Sequence, residues 1–236
     1  MISKNKVSAI VSVFNEEKTV KEVVVSLLNC KLIDEVIVVS DGSTDNTAKI
    51  LRQIQQLQSY QFHYLEFKEN KGNAYAMVSG AEISNGEILV FVDADITGLN
   101  YKHIEKLIAP LIFDQVDMVI GCRCSEQNPK VDISKPINDW LGGERALYRK
   151  DILPILWRMK DTRYGVETLL NLYYKSHNKR IKIVDLERLI HFTKYKKYKL
   201  HVSLRNYTKE TFQILRTIAL NYFLVFTIIK NIIVKE

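Results

Sequence analysis

The sequence predicts an α/β protein: a mostly parallel central sheet flanked by helices, with a helical appendage at the C-terminus. Two patterns predict it. From Val7 to about Arg123, short β-branched runs alternate with segments of helical apolar spacing, as in successive βαβ units. Within the runs, stretches such as ILVFV are nearly continuous in apolar residues, as strands are when a sheet is covered on both faces.

In chain order the strand candidates are VSAIVSVF, DEVIVVS, FHYLEF, EILVFVDAD and DMVIGC. Between them, EEKTVKEVVVSLLNC and STDNTAKILRQIQQL have the apolar spacing of amphipathic helices. Residues 125–139, SEQNPKVDISKPIND, hold two of the four prolines and no apolar period, which predicts a surface loop over a site. GGERALYRKDIL and GVETLLNLYYKSH then read as helices, and RIKIVDLE reads as a strand leading to His191. The expected organisation is one domain over residues 1–200, divided into halves 1–123 and 124–200, followed by a helical tail over 201–236.

The tail has its own signature. Thr217 to Val234 reads TIALNYFLVFTIIKNIIV, interrupted only by Asn221, Lys230 and Asn231. That length is at the lower limit for crossing a bilayer, and the internal lysine argues against a simple span. Behind the basic, tyrosine-rich strip KYKKYK, the run reads as an interfacial helix, with membrane contact through residues 194–236. A buried core helix or a homodimer-forming helix is the competing reading.

Thirty-four Lys and Arg against 27 Asp and Glu leave a net charge of +7, which favours an anionic partner. Phosphate compounds, nucleic acid and acidic membranes all qualify. Positive charge gathered beside an apolar helix fits lipid better than nucleic acid, so no nucleic-acid partner is expected. The three cysteines are odd in number, and Cys122 and Cys124 are too close for the usual CxxC arrangements, so the thiols are read as reduced. The N-terminal apolar run meets Asn15, Glu16 and Glu17 too early for a signal peptide. These features predict a cytoplasmic protein at the inner face of the membrane.

In open α/β sheets, ligands bind at the carboxyl ends of the strands. Three predicted strand ends carry polar clusters: Asn15-Glu16-Glu17, Asp41-Gly42-Ser43-Thr44-Asp45 and Asp93-Ala94-Asp95. Each has a plainer explanation taken alone, since Ser43, Thr44, Asp45 and Asn15 suit helix caps and the two aspartates suit a turn. Convergence of three clusters on one crevice is harder to explain so. Carboxylates brought together repel and raise each other's pKa unless a cation neutralises them. Mg²⁺ or Mn²⁺ is the natural cation, bridging protein carboxylates and a substrate diphosphate. Lys71 and Gly72 mark another strand-to-helix passage suited to phosphate. The chain has neither GxxxxGK[ST] nor GxGxxG, which disfavours ATPase and dinucleotide readings.

VSVFNEE, VVSDGSTDNT, NKGNAYAM and VDAD, in that order, resemble the nucleotide-sugar half of family 2 glycosyltransferases with the GT-A fold. LGGERALYR, RYGVETLL and LIHFTKYKK resemble the acceptor half, including branches related to polyprenyl-phosphate glycosyltransferases and glucosyl-3-phosphoglycerate synthases. The likeness runs from about Val7 to Lys199. It implies a nucleoside diphosphate sugar donor, usually a UDP-sugar, with Asp41 on the base and Glu16 beside the nucleoside. Val13 and Ser43 would line the same donor site, and Lys71 would touch base or diphosphate. Asp93 and Asp95 match the DXD motif, with Asp95 a direct metal ligand and Asp93 near ribose or metal. His191 matches a histidine that completes the metal site in some branches, and imidazole suits Mn²⁺ better than Mg²⁺. Ser12 stands where the family often has proline, and ENKGN replaces an NxGKG arrangement, so the role of Lys71 is less secure. No QxxRW motif is present, which disfavours a processive polysaccharide synthase.

An inverting transfer also needs a carboxylate base for the acceptor hydroxyl, and Glu144 and Glu167 are the candidates. Each also suits the first turn of a helix. A lipid-linked or small phosphorylated acceptor would meet Arg123, Arg145 or Arg163. Two other classes compete with the enzyme: a catalytically silent nucleotide-sugar binder, and a basic module for nucleic acid or membrane.

Overall fold

The computed structural model describes residues 5–57, 61–122, 142–162, 165–191 and 211–234, with only the backbone described at His191. The first strand, β1 (Val7–Val13), leads through α1 (Val20–Leu28) to β2 (Glu35–Ser40), then through α2 (Thr47–Gln55) to β3 (His63–Glu66). The chain returns through α3 (Asn73–Ile83) to β4 (Ile88–Asp93) and a short β5 (Ile96–Thr97). Next come α4 (Tyr101–Phe113) and β6 (Met118–Cys122), then β7 (Arg145–Tyr148), α5 (Arg149–Ile152), α6 (Leu156–Met159) and α7 (Val166–Ser176). After β8 (Ile181–Asp185) and β9 (Ile190–His191), the chain ends in α8 (Thr211–Leu220) and α9 (Tyr222–Ile233).

The main sheet has seven strands in the order β3-β2-β1-β4-β7-β6-β8. All pairs are parallel except those made by β7, which runs antiparallel to both β4 and β6. Both faces are covered, so alternate residues of one strand enter different cores. Ala9, Val11 and Val13 face α1, α2 and α4, whereas Ile10 joins Val39, Phe91 and the residues of α3, α6 and α7. This explains the near-continuous apolar strands.

The helix expected over GGERALYRKDIL is corrected in its first half. Arg145 to Tyr148 is strand, and helix begins only at Arg149. Leu89 and Val90 of β4 pair with Leu147 and Ala146, whose side chains enter opposite cores. Four residues are too few to display a period, and the good helix formers Arg, Ala and Leu yield to the slot between β4 and β6. The tail is helical as expected, but it is two helices meeting at 69° rather than one. No single helix among the described residues is long and apolar enough to cross a membrane.

Candidate active site

The chain runs outward from β1 to β2 and β3 on one side, then back to β4 on the other, so a crevice opens beyond the ends of β1 and β4. The register aligns those ends: Ser12 lies beside Asp93 and Val39, and Val13 beside Ser40. The three polar clusters therefore emerge at one edge of the sheet.

Two of the clusters are laced together. The Asn15 amide donates to Ser43 Oγ at 3.1 Å, and Asn15 Oδ1 accepts from the Thr44 amide at 2.7 Å. The Glu16 amide donates to Thr47 Oγ1 at 2.8 Å, and the Glu17 amide to Asp45 Oδ2 at 3.2 Å. Asp45 also accepts from the Thr47 amide at 2.9 Å, an Asx turn leading into α2, whose N-cap is Asn46 and makes no side-chain cap, so the capping expected of Ser43, Thr44 and Asp45 gives way to the turn and the cross-links. Val13 is buried at the end of β1, and its carbonyl accepts from the Asp41 amide at 2.8 Å. The Asp41 carboxylate is nearly inaccessible and accepts from the amides of Lys71 and Gly72 at 2.7 and 2.8 Å. Asp41 thus fixes the loop that carries Lys71. The exposed Lys71 ammonium lies 5.1 Å from the Phe67 ring and 4.8 Å from the Tyr75 ring, two aromatic contacts that the sequence reading did not include.

At the end of β4, Asp93 and Asp95 are both half-buried, with Ala94 enclosed between them and its carbonyl accepting from Thr19 Oγ1 at 2.6 Å. The chain continues directly into β5, whose Ile96 and Thr97 pair antiparallel with His191 and Ile190. The backbone of His191 is thereby brought one register step from Asp95. Among the described residues no three His, Cys, Asp or Glu side chains form a metal-sized group, and the His191 side chain is outside them. The donors fit a hard divalent cation: two carboxylates one residue apart at a strand exit, with a histidine backbone alongside.

β7 supplies the opposite wall. Phe91 pairs with Arg145, and two further residues along that register set Gly143 against Asp93. The approach is so close that a Cβ on Gly143 would lie 2.1 Å from Asp93 Oδ2. Any larger residue there would displace the Asp93 carboxylate or the strand.

Arg145 was expected to meet the acceptor, but it is fully buried and has no surface for one. Its Nη2 and Nε donate to the Gly142 carbonyl at 2.8 and 3.2 Å, and Nη1 donates to Asn171 Oδ1 at 3.3 Å. Burial lowers its pKa, opposed by the negative charge of Glu167, then Asp93, then Glu144. Arg145 is the common counter-charge of the three acidic residues that the sequence singled out. Glu144 is fully buried and Glu167, in the first turn of α7, half-buried. Glu167, Asn171 and Tyr174 recur at positions i, i+4 and i+7 on the buried side of α7, a polar stripe that was readable in the sequence as a site signal. Arg123 and Arg163, the KYKKYK strip and the loop over 125–139 lie outside the described residues.

Residues 8–164 match the family described as Glycosyl transferase family 2, and the chain belongs to that family. It is a glycosyltransferase. An uncharacterised protein of Methanocaldococcus jannaschii is 27% identical over 219 residues, covering 82% of this chain and 85% of that one. The UDP-N-acetylglucosamine–dolichyl-phosphate N-acetylglucosaminyltransferase of Methanococcus voltae is 31% identical over 148 residues, 56% of this chain and 57% of that one. The match thus spans little more than half of that curated relative. Among solved structures, glucosyl-3-phosphoglycerate synthase of Mycobacterium tuberculosis, in complex with Mn²⁺, UDP and glucosyl-3-phosphoglycerate, superposes with a TM-score of 0.69 at 21% identity, over 91% of this chain and 78% of that one. The expected GT-A fold is the observed one.

Proposed function

We propose that this glycosyltransferase moves a sugar from a nucleoside diphosphate sugar, by preference a UDP-sugar, to an acceptor that bears a phosphate, either lipid-linked or small. The observation that carries the reading is the Asp93-Ala94-Asp95 exit of β4, set between the β1–β2 loops on one side and Gly143 on the other. Asp95, Asp93 and His191 would hold Mn²⁺ or Mg²⁺, which when bound offsets the charge that develops on the departing diphosphate. The similar synthase crystallised with Mn²⁺ and UDP, and the similar dolichyl-phosphate transferase, support the donor and acceptor classes.

The protein's own groups divide the remaining work. Val13, Glu16 and the Asn15–Ser43 lacing shape the nucleoside side, and Asp41 orients the loop that presents Lys71 to the diphosphate. Glu167 is the better proton acceptor for an incoming hydroxyl, because Glu144 has no exposed surface and Glu167 keeps some. Arg145 acts through these carboxylates, its positive charge lying beside Glu167, Asp93 and Glu144 at once. The bent apolar tail makes peripheral membrane contact, which suits a lipid-linked acceptor.

Titration calorimetry with UDP, GDP, CDP and TDP and the matching sugar donors, with and without Mn²⁺, tests the reading. One nucleotide should bind only with metal, and Asp95→Ala should abolish both that binding and transfer while the fold persists. Metal-dependent transfer by Asp95→Ala would refute the assignment, and binding without turnover of any donor would favour a silent nucleotide-sugar binder.

A further inference from the structure

The cleft between α6, the following loop and the α8–α9 bend shares no lining residue with the donor crevice and has a composition of its own. It encloses about 290 Å³, and its walls include Trp157, Arg158, Asp161, Arg216, Leu220 and Phe223. The Arg158 guanidinium lies 4.9 Å from the Trp157 ring and 4.8 Å from the Phe223 ring, so it is flanked by two aromatic rings. A cation–π contact uses the guanidinium's charge but none of its N–H donors, which stay available to an anion. Among the described residues, neither Arg158 nor Arg216 makes an ion pair or hydrogen bond. Two arginines against one carboxylate, Asp161, leave the walls with a surplus positive charge.

The cleft is continuous with an apolar face that no described residue covers. Leu220 is 63% exposed and lines the cleft, while Phe226 and Ile233 farther along α9 are 68% and 66% exposed. From Thr211 to Val234 there is no acidic residue, and Arg216 and Lys230 are the only charges. The helices of this bent pair are about 15 and 18 Å long at ~1.5 Å per residue, well short of a ~30 Å hydrocarbon core, so they suit the interface plane. The fold also ties this cleft to the catalytic wall. Gly165 abuts α8 so closely that a Cβ there would lie 2.0 Å from Thr217 Oγ1, and Gly165 stands two residues before Glu167.

We infer that the Arg158–Arg216 cleft seats a lipid-borne phosphate whose acyl or prenyl chain lies on the exposed face of α8 and α9. The inference rests on the membrane-contact part of the proposed function and supplies its recognition chemistry. Apolar burial gives the affinity, and the arginine pair selects an anionic headgroup over a zwitterionic one.

The test uses the full chain, Arg158→Gln/Arg216→Gln and Phe226→Ser/Ile229→Ser in flotation with phosphatidylcholine vesicles, with and without phosphatidylglycerol. The parent should prefer the anionic vesicles, and the arginine variant should lose about 25-fold of that partitioning, roughly five-fold per cation near the surface, while its binding to neutral vesicles is unchanged. The apolar variant should lose binding to both. Arg216→Gln alone, which leaves the Arg158 aromatic contacts in place, should lose about five-fold and guards against misfolding of the double variant. Equal partitioning of arginine variants and parent overturns the inference. So does release of the parent from anionic vesicles by millimolar glycerol phosphate, which would mark the cleft as a soluble-phosphate site. Nucleotide calorimetry on the same samples keeps the two readings apart, since failed donor binding would sink the transferase assignment and leave the vesicle result standing.

Discussion

Replacing Arg145 with methionine removes a buried cation beside Glu167, Asp93 and Glu144 while roughly preserving the side chain's volume. The guanidinium is fully buried, and its hydrogen bonds include two to the Gly142 carbonyl and one to Asn171. Breaking a buried charge set from one side costs about 3–5 kcal/mol, because the remaining charges are left uncompensated. At about 2–4 °C per kcal/mol for a chain of this size, Arg145→Met should lower Tm by roughly 6–20 °C. Arg145→Lys keeps the charge but loses the fork that grips Gly142, so its loss should be smaller. The electrostatic origin has its own signature. Carboxylates deprived of their counter-charge have raised folded-state pKa values, and such groups destabilise the fold as pH rises through those values. The deficit of Arg145→Met should therefore shrink between neutral pH and about pH 5. Scanning calorimetry and urea midpoints across that range read both effects. A deficit that is small, or large but flat with pH, would refute the reasoning.

Gly143→Ala would force a methyl group to within 2.1 Å of Asp93 Oδ2, so carboxylate or strand must move. Steady-state transfer should fall on the order of 100-fold, as for a misplacement of ~1 Å at a reacting centre, and metal-dependent donor binding should weaken with it. Glu35 should govern part of the acid stability. Burial alone would raise its carboxyl, but the Asn85 amide and side chain, Ser8 and His63 together hold it below the ordinary value of 4.5. A depressed folded-state pKa contributes stability that is present above the unfolded value and lost as pH falls through the folded one. Glu35→Gln should thus cost about 1–2 kcal/mol at neutral pH, and the cost should fall away as the pH drops from 4.5 through the lowered folded-state value, as followed by urea denaturation at each pH.

The strand ends were legible because their chemistry is local. A run such as ILVFV followed by Asp93 and Asp95 announces both a doubly covered strand and a carboxylate pair at its exit. The surroundings of Arg145 were not legible, because they come from β4, β7 and α7 together, and no stretch of sequence contains all three. The same limit hid β7, which is a strand only because β4 and β6 leave a slot for it. In the tail, Asn221 interrupts the apolar run visibly, yet the bend depends on where it packs: its side chain is buried and donates to the Thr217 carbonyl at 2.8 Å. Asp41 shows a subtler difference, since its position was evident and its grip on the Lys71 and Gly72 amides was not.

The place of β7 also bears on how the chain reaches its native state. β6 is made before β7, yet β7 lies between β4 and β6 and joins them. During synthesis both earlier strands must wait with open hydrogen-bonding edges until residue 148 has emerged, and β6 must wait longer still for β8. A fragment ending near residue 123 would keep the nucleotide-side motifs but expose the flanks of β4 and β6, which invites self-association. The two halves distinguishable by motif thus share one sheet, closed by a four-residue strand that arrives late.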